Sequence, residues 1–183
     1  MENTKEVKKV GKLRKIIRNL YPTYTYDRVE DIPYSLIKEN NIDLLIFDMD
    51  NTLIDHKYFY TKTLKKWVKE MKQNGVKLYI LTNSPFAKVV QKTAKDLGMK
   101  YLYNANKPFL RGFIKIQEET KIEKEHIMMI GDQLFTDIWG GNRFGIKTIL
   151  VKPIKKQETL ISKVKRPFER IILKHYKKKK GGM

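Results

Sequence analysis

The sequence has 183 residues, of which 41% are hydrophobic and 11% are aromatic, enough for one folded domain with a full core plus tails. It contains no cysteine, which excludes disulfides, thiolate metal sites and a cysteine nucleophile. The 39 lysine and arginine residues outnumber the 20 acidic residues and give a formal charge of +19. Such a charge favours an anionic partner: nucleic acid, an anionic membrane surface or a phosphorylated substrate.

The basic residues are not evenly distributed along the chain. Residues 152–183 hold 12 basic and 2 acidic residues, which is about half of the total excess. No segment resembles a secretory signal, and no apolar run approaches the roughly 18 residues of a membrane span. We therefore expect an intracellular protein with three parts: a basic segment and connector at 1–40, a core at 41–151 and a basic extension at 152–183.

The first part of the chain predicts a cationic amphipathic helix. Apolar residues recur at helical spacing over residues 7–20, with lysine and arginine between them. Such a helix can lie in a membrane interface or pack on the protein's own domain, and both interpretations are open. Residues 21–34, with prolines at 22 and 33, predict an extended connector, and 34–39 a short helix.

The core predicts strands alternating with helices. The uninterrupted apolar run at 44–47 is typical of a strand buried on both faces. The pattern predicts strands at 44–47, 76–81, 100–103, 127–130 and 147–151, helices at 60–73, 85–97 and 109–120, and a turn at 140–143. This alternation indicates an α/β fold, a Rossmann-like doubly wound parallel sheet of about five strands.

Polar side chains follow four of the predicted strands. They are Asp48 and Asp50, Thr82 and Asn83, Lys107, and Asp132. Ligands bind at the carboxyl ends of strands in such sheets, so we expect these side chains to meet. Two carboxylates two positions apart repel each other unless they share a cation, and an all-oxygen set favours Mg²⁺.

Four motifs give these residues a family resemblance. They are DMDNT at 48–52, LTNS at 81–84, Lys107-Pro108 and GDQLFTD at 131–137. In this order, across roughly residues 42–151, they resemble the motifs of the haloacid dehalogenase-like superfamily of aspartate-nucleophile phosphatases. The first and last motifs carry most of the specificity.

The resemblance implies a role for each motif residue. Asp48 would attack phosphorus and form an aspartyl-phosphate, while Asp50 would donate a proton to the leaving oxygen and then activate water. Thr82 and Lys107 would bind phosphoryl oxygens, and Asn83 is a further candidate for substrate binding. Asp48, the carbonyl of Asp50 and Asp132 would hold Mg²⁺. Thr52 would support the site, and Asp137 would support Asp132 or Lys107.

Elementary electrostatics supports these roles. A carboxylate that attacks a phosphate dianion brings like charges together, so cations must neutralise the approach. Lys107 and Mg²⁺ are the convergent candidates. Covalent catalysis also needs a proton-transfer group, and Asp50 is the carboxylate nearest to Asp48 along the chain.

The lengths of the segments between the motifs restrict the class of substrate. Neither the segment from Asp50 to Thr82 nor the one from Thr82 to Lys107 leaves room for a cap domain, so the site should be open to a bulky substrate. The stretch before Asp48, LYPTYTYDRVEDIPYSLIKENNIDLLIF, resembles the entry of subfamily IIIA proteins related to phosphatidylglycerophosphate phosphatases. This resemblance implies a lipid headgroup as substrate.

The basic C-terminal extension agrees with that substrate. It combines a broken amphipathic pattern with the lysine run at 177–180, and lysines near an anionic bilayer contribute roughly 1 kcal/mol each. We expect a cytoplasmic protein, peripheral on the inner face of the membrane. Two alternatives are open: the same site acting on a nucleotide, sugar phosphate or phosphorylated macromolecule, and a non-catalytic basic protein that associates with RNA or ribosomes, with nucleic acid the less favoured partner.

Overall fold

A six-stranded parallel sheet forms the centre of the computed structural model. The strands are β1 (Tyr24–Tyr26), β2 (Leu44–Phe47), β3 (Lys77–Leu81), β4 (Lys100–Leu102), β5 (Ile127–Gly131) and β6 (Lys147–Val151). Their order across the sheet is β1-β6-β5-β2-β3-β4. The chain runs outward from β2 to β4 and then returns to place β5 against the other edge of β2. The strand order therefore reverses between β2 and β5, where open α/β sheets bind their ligands.

Within residues 22–154, five α-helices connect or precede the strands. They are α1 (Tyr34–Glu39), α2 (Lys62–Gln73), α3 (Ala87–Leu97), α4 (Arg111–Thr120) and α5 (Trp139–Phe144). The hydroxyl of Thr61 accepts a hydrogen bond of 2.9 Å from the Leu64 N–H and caps α2. One helix separates β2 from β3 and another separates β3 from β4, so no cap domain is inserted at either point, as predicted.

Buried strand residues alternate between two apolar cores, one on each face of the sheet. Leu45 and Phe47 face the core that contains buried residues of α1, α2 and α3. Leu44 and Ile46 face the core that contains buried residues of α4 and α5. Successive strand residues point to opposite faces, so a strand covered on both faces needs a continuous apolar run. This explains why the sequence predicted β2 with correct bounds.

Two predicted segments differ from the structure. Residues 24–26, predicted within a connector, form a sixth strand that pairs with β6. The predicted turn at 140–143 is wrong, because those residues belong to α5, which continues a π-helical turn at Leu134–Ile138. Two adjacent glycines disfavour a helix, but here they permit close packing: a Cβ on Gly141 would lie 2.6 Å from Thr148 Cγ2 and 3.2 Å from Met129 Cβ.

Gly141→Ala should therefore destabilise the protein, although alanine is the better helix former. We expect the free energy of unfolding to fall by about 1–3 kcal/mol, since the methyl group would overlap β5 and β6 and the cost of overpacking exceeds the gain in helix propensity. Urea unfolding measures the change. Gln91→Ala, at an exposed position of α3, is the control and should stay within about 0.5 kcal/mol. A stabilised Gly141→Ala protein would contradict the packing argument.

The structure describes residues 17–154 and residue 176. The chain divides into two units, Met1–Tyr21 with Glu158–Met183, and Pro22–Gln157. Within the first unit, the rings of Tyr21 and Tyr176 have centroids 5.6 Å apart. The predicted amphipathic segments and the lysine run at 177–180 otherwise lie outside the described residues. Across the described ranges, no helix combines the length and apolar character needed to cross a bilayer.

Candidate active site

The register of the central strands brings three motifs to one edge of the sheet. Phe47 pairs with Ile80 on β3 and with Ile130 on β5, so Asp48 lies beside the ends of both strands. The Asp48 N–H donates a hydrogen bond of 2.9 Å to the Ile130 carbonyl and extends the ladder by one residue. Thr82 and Asp132 follow β3 and β5 directly, as the sequence predicted.

Lys107 lies at the centre of this edge. Its Nζ is 2.7 Å from Asp48 Oδ1 and 2.7 Å from Asp137 Oδ1, and only 1% of its side chain is exposed. The predicted convergence of Lys107 and Asp48 is therefore confirmed, across 59 residues of sequence. Of the two roles foreseen for Asp137, the contact with Lys107 is the one the structure shows.

Asp137 is fully buried, and its environment explains its position. Its Oδ2 accepts a hydrogen bond of 3.1 Å from the Gln133 N–H, and its Oδ1 accepts one of 3.2 Å from the Thr136 hydroxyl. A side chain at Gly131 could not coexist with this arrangement, since its Cβ would lie 2.5 Å from Asp137 Cγ. A glycine at the end of β5 thus lets the carboxylate reach Lys107.

Asn83 holds the main chain of Lys107. Its Oδ1 accepts a hydrogen bond of 2.7 Å from the Lys107 N–H, and its Nδ2 donates one of 3.0 Å to the Lys107 carbonyl. These two hydrogen bonds connect the loop after β4 to the loop after β3. The contact of Asn83 with substrate stays a prediction. Its contact with the Lys107 main chain was not predicted, because no sequence pattern reveals a contact between residues 24 apart.

Asn83→Ala should lower activity by displacing Lys107 rather than by removing a charge. We expect kcat to fall by about 10–100-fold, because small displacements of a phosphate-binding group are costly, and stability to fall by about 1–2 kcal/mol. Initial rates on p-nitrophenyl phosphate and urea unfolding measure the two effects. Gln91→Ala again serves as the control; an Asn83→Ala enzyme with unchanged kcat would contradict the positioning role.

The hydroxyl residues of the motifs occupy defined positions. Thr82 is buried, and its Oγ1 accepts a hydrogen bond of 3.0 Å from the Ser84 N–H. Burial raises the pKa of Asp50, although Lys107 and the Ser84 side chain oppose the rise. The Thr52 hydroxyl donates a hydrogen bond of 3.5 Å to Asp132 Oδ1, and its supporting role stays a prediction. Ser84 was not foreseen as a site residue, although it lies within the second motif.

The charges of the site are incompletely balanced. Burial raises the pKa of Asp48 to about 7, although the nearby Lys107 opposes the rise. Burial and the charges of Asp48 and Asp137 raise the pKa of Asp132 well above its ordinary value. Burial lowers the pKa of Lys107, but Asp137 and Asp48 outweigh this and raise it above its ordinary value, so the ammonium stays charged at neutral pH. One ammonium group lies near three carboxyl groups, so a further cation could bind without creating an excess of positive charge.

The oxygen atoms at this edge fit a divalent cation. Asp48, Asp132 and Asp137 each place a carboxylate oxygen within 4.8 Å of the others. Both oxygens of Asp137 are already hydrogen-bonded or ion-paired. Among the described residues, Asp48 Oδ2 is buried and has no hydrogen-bond partner. Asp48 and Asp132 are thus the carboxylates available to a metal ion, and oxygen donors suit Mg²⁺.

Comparisons with known proteins agree with this geometry. The family of haloacid dehalogenase-like hydrolases matches residues 58–145. The probable phosphatase YqeG of Bacillus subtilis (strain 168) is 38% identical over 144 residues, which are 78% of this chain and 83% of that protein. An uncharacterized protein from Listeria monocytogenes serotype 4b has the same fold, with a TM-score of 0.53 and 21% identity over 64% of this chain and 84% of that one. The chain belongs to the haloacid dehalogenase-like hydrolases.

Proposed function

We propose that the protein is a Mg²⁺-dependent phosphomonoester hydrolase that works through an aspartyl-phosphate on Asp48 and acts on phosphatidylglycerophosphate at an anionic membrane surface. The observation that carries the proposal is the position of the Lys107 ammonium, 2.7 Å from both Asp48 and Asp137 and beside the unpartnered Oδ2 of Asp48. A buried nucleophile with a fixed cation beside it suits attack on a negatively charged phosphoryl group.

The reaction has two displacements at phosphorus. In the first, an oxygen of Asp48 forms a bond to phosphorus while the bond to the substrate oxygen breaks, and Asp50 gives a proton to that leaving oxygen. In the second, Asp50 takes a proton from water as the water oxygen bonds to phosphorus and the bond to Asp48 breaks. Inorganic phosphate leaves, and both aspartates return to their starting states.

The remaining site residues orient the phosphoryl group. Thr82 already accepts a bond from the Ser84 N–H through its Oγ1, so its hydroxyl proton can be donated to a phosphoryl oxygen. Lys107 supplies charge and is itself oriented by Asp137 and Asn83. We propose Asn83 as a positioning residue that also borders the substrate.

A metal ion would complete the neutralisation of charge. Asp48, Asp132 and the main-chain carbonyl of Asp50 would hold it, with Thr52 positioning Asp132. When bound, Mg²⁺ supplies positive charge that offsets repulsion between the Asp48 carboxylate and the phosphoryl oxygens.

Two features favour a lipid phosphate over a small metabolite. The connections on both sides of β3 hold a single helix each, so nothing inserted there closes the site over a small substrate. The segment before Asp48 resembles subfamily IIIA proteins related to phosphatidylglycerophosphate phosphatases. The charge of +19 suits attachment to an anionic inner membrane face from the cytoplasm. The similarity to a probable phosphatase supports the reaction class alone.

Phosphate release from a substrate panel tests the proposal. The panel holds phosphatidylglycerophosphate in mixed micelles, nucleotides and sugar phosphates, each measured with Mg²⁺ and with EDTA. We expect release only with Mg²⁺, and kcat/KM for the lipid at least about tenfold above the rest. If a nucleotide or a sugar phosphate were preferred, the proposed substrate would be wrong, but the proposed phosphatase reaction would stand. No release from any substrate would favour a non-catalytic RNA- or ribosome-associated protein.

A further inference from the structure

Large apolar side chains are exposed mainly at the edge of the sheet that carries the active site. Seven such side chains, 39–70% exposed, occur in the described part of the chain. Six of them lie in segments that follow the carboxyl ends of strands, and we call these six the apolar rim: Tyr58, Phe59, Phe86, Tyr103, Phe109 and Ile154. The seventh, Ile114, lies within α4. Exposed apolar residues that are scattered singly need no explanation, but a group of them at one edge of the sheet indicates a binding surface.

Two clefts border the apolar rim. Tyr103 and Phe109 line a cleft of about 410 Å³ that includes Asn106, the residue before Lys107. Phe59 and Ile154 line another, of about 440 Å³, that includes Thr52, whose hydroxyl is 3.5 Å from Asp132. The first cleft therefore borders the loop that carries Lys107, and the second extends from the rim to a side chain that contacts Asp132.

The charge of the same loops is complementary to an anionic surface. The stretches around the rim phenylalanines, 56–62, 83–88 and 103–111, contain no acidic residue, whereas Asp27, Glu30 and Asp55 line the cleft beside Phe59 and Ile154. Lys57, Lys88 and Arg111 are exposed in these three stretches, among the exposed aromatic side chains. Aromatic rings combined with cations are typical of protein surfaces at the headgroup level of anionic membranes.

We propose that the apolar rim docks on an anionic bilayer, with the phenyl rings of Phe59, Phe86 and Phe109 in the boundary between headgroups and acyl chains. The active site then opens onto the membrane surface, and a headgroup phosphate can enter without leaving the bilayer. This placement rests on the proposed function for its substrate, but membrane docking itself can be measured without turnover.

A bilayer fits this surface better than a nucleic acid strand. Single-stranded nucleic acids also use cations and aromatic platforms. The most exposed rings of the apolar rim, however, are the phenyl groups of Phe59, Phe86 and Phe109, 60–70% exposed, which can enter the boundary of the acyl chains but offer no hydrogen-bonding group to a base. A terminal phosphate that projects from a lipid headgroup can enter the pocket singly and meet Lys107.

Tryptophan probes test the docking directly. Phe86→Trp and Phe109→Trp place a fluorophore in the rim, and Ile114→Trp is the matched exposed control. Each full-length variant is mixed with vesicles of brominated phosphatidylcholine and phosphatidylglycerol in a two-to-one ratio. The salt concentration is 1 M, where a Debye length of about 3 Å suppresses attachment through the basic termini alone. Wild-type emission from Trp67 and Trp139 is subtracted.

We expect the bromines to quench both rim probes strongly and the Ile114→Trp probe weakly. The triple variant F59S/F86S/F109S should partition into these vesicles less well, by about tenfold for each ring removed, while Ile114→Ser partitions like wild type. Equal quenching of all three probes, or bound vesicles without quenching of the rim probes, would overturn the proposal. So would emission that responds to oligouridylate and not to vesicles. If the rim probes were quenched but the lipid was not hydrolysed, the docking proposal would stand and the proposed substrate would be wrong.

Discussion

Asp48→Asn is expected to eliminate phosphatase activity while leaving the protein folded. An amide nitrogen or oxygen cannot replace the carboxylate as nucleophile, so kcat should fall on the order of 10⁴-fold or more on any substrate. The fold should survive, because Lys107 keeps its ion pair of 2.7 Å with Asp137. Hydrolysis of p-nitrophenyl phosphate with Mg²⁺ measures the loss, and thermal unfolding measures integrity.

The control for this variant is Asp96→Asn at the exposed end of α3, which removes the same charge away from the active site. It should keep wild-type kcat. If Asp48→Asn retained a tenth of wild-type activity, the carboxylate would be a spectator, and hydrolysis would proceed by direct attack of water.

Lys107→Met is expected both to destabilise the protein and to inactivate it. Methionine retains most of the apolar stem but removes the ammonium, which leaves Asp48 and Asp137 buried with uncompensated charge. Removing one partner of a buried ion pair costs about 3–5 kcal/mol of unfolding free energy. Urea unfolding in EDTA measures this cost, and added Mg²⁺ should restore part of it by occupying the carboxylates.

Lys100→Met is the matched control for that prediction. Lys100 also pairs with a carboxylate, 2.9 Å from Glu119 Oε1, but its side chain is 67% exposed. Exposed ion pairs contribute at most about 1 kcal/mol, so this variant should unfold nearly like wild type. Equal costs for Lys100→Met and Lys107→Met would mean that the Lys107 ammonium does not hold the buried carboxylates.

The sequence predicts much of this architecture because its strongest patterns are local. Strands β2 and β6 have the predicted bounds, and for β2 the reason is that burial on both faces requires uninterrupted apolar residues. Helix α2 begins two residues later than predicted, because Thr61 provides its N-cap. The motif residues could be assigned to one edge of the sheet, since the carboxyl ends of parallel strands coincide.

Long-range contacts account for what the sequence does not reveal. The pairing of β1 with β6 joins residues about 125 apart, and a three-residue strand has no periodicity to detect. The helical state of Gly140 and Gly141 depends on close approach to Phe113 and Thr148. The hydrogen bonds from Asn83 to the Lys107 main chain depend on the geometry of two loops. None of these contacts leaves a signal in spacing or composition.

Trapping the phosphorylated enzyme tests the central claim most directly. Borohydride reduces an acyl phosphate to an alcohol, so an aspartyl-phosphate that forms during turnover is converted to homoserine, which peptide mass spectrometry can locate. We predict homoserine at Asp48, dependent on substrate and Mg²⁺ and absent from an Asp48→Asn sample. Homoserine at another aspartate, or steady turnover with no reduced residue, would contradict the role of Asp48 as nucleophile.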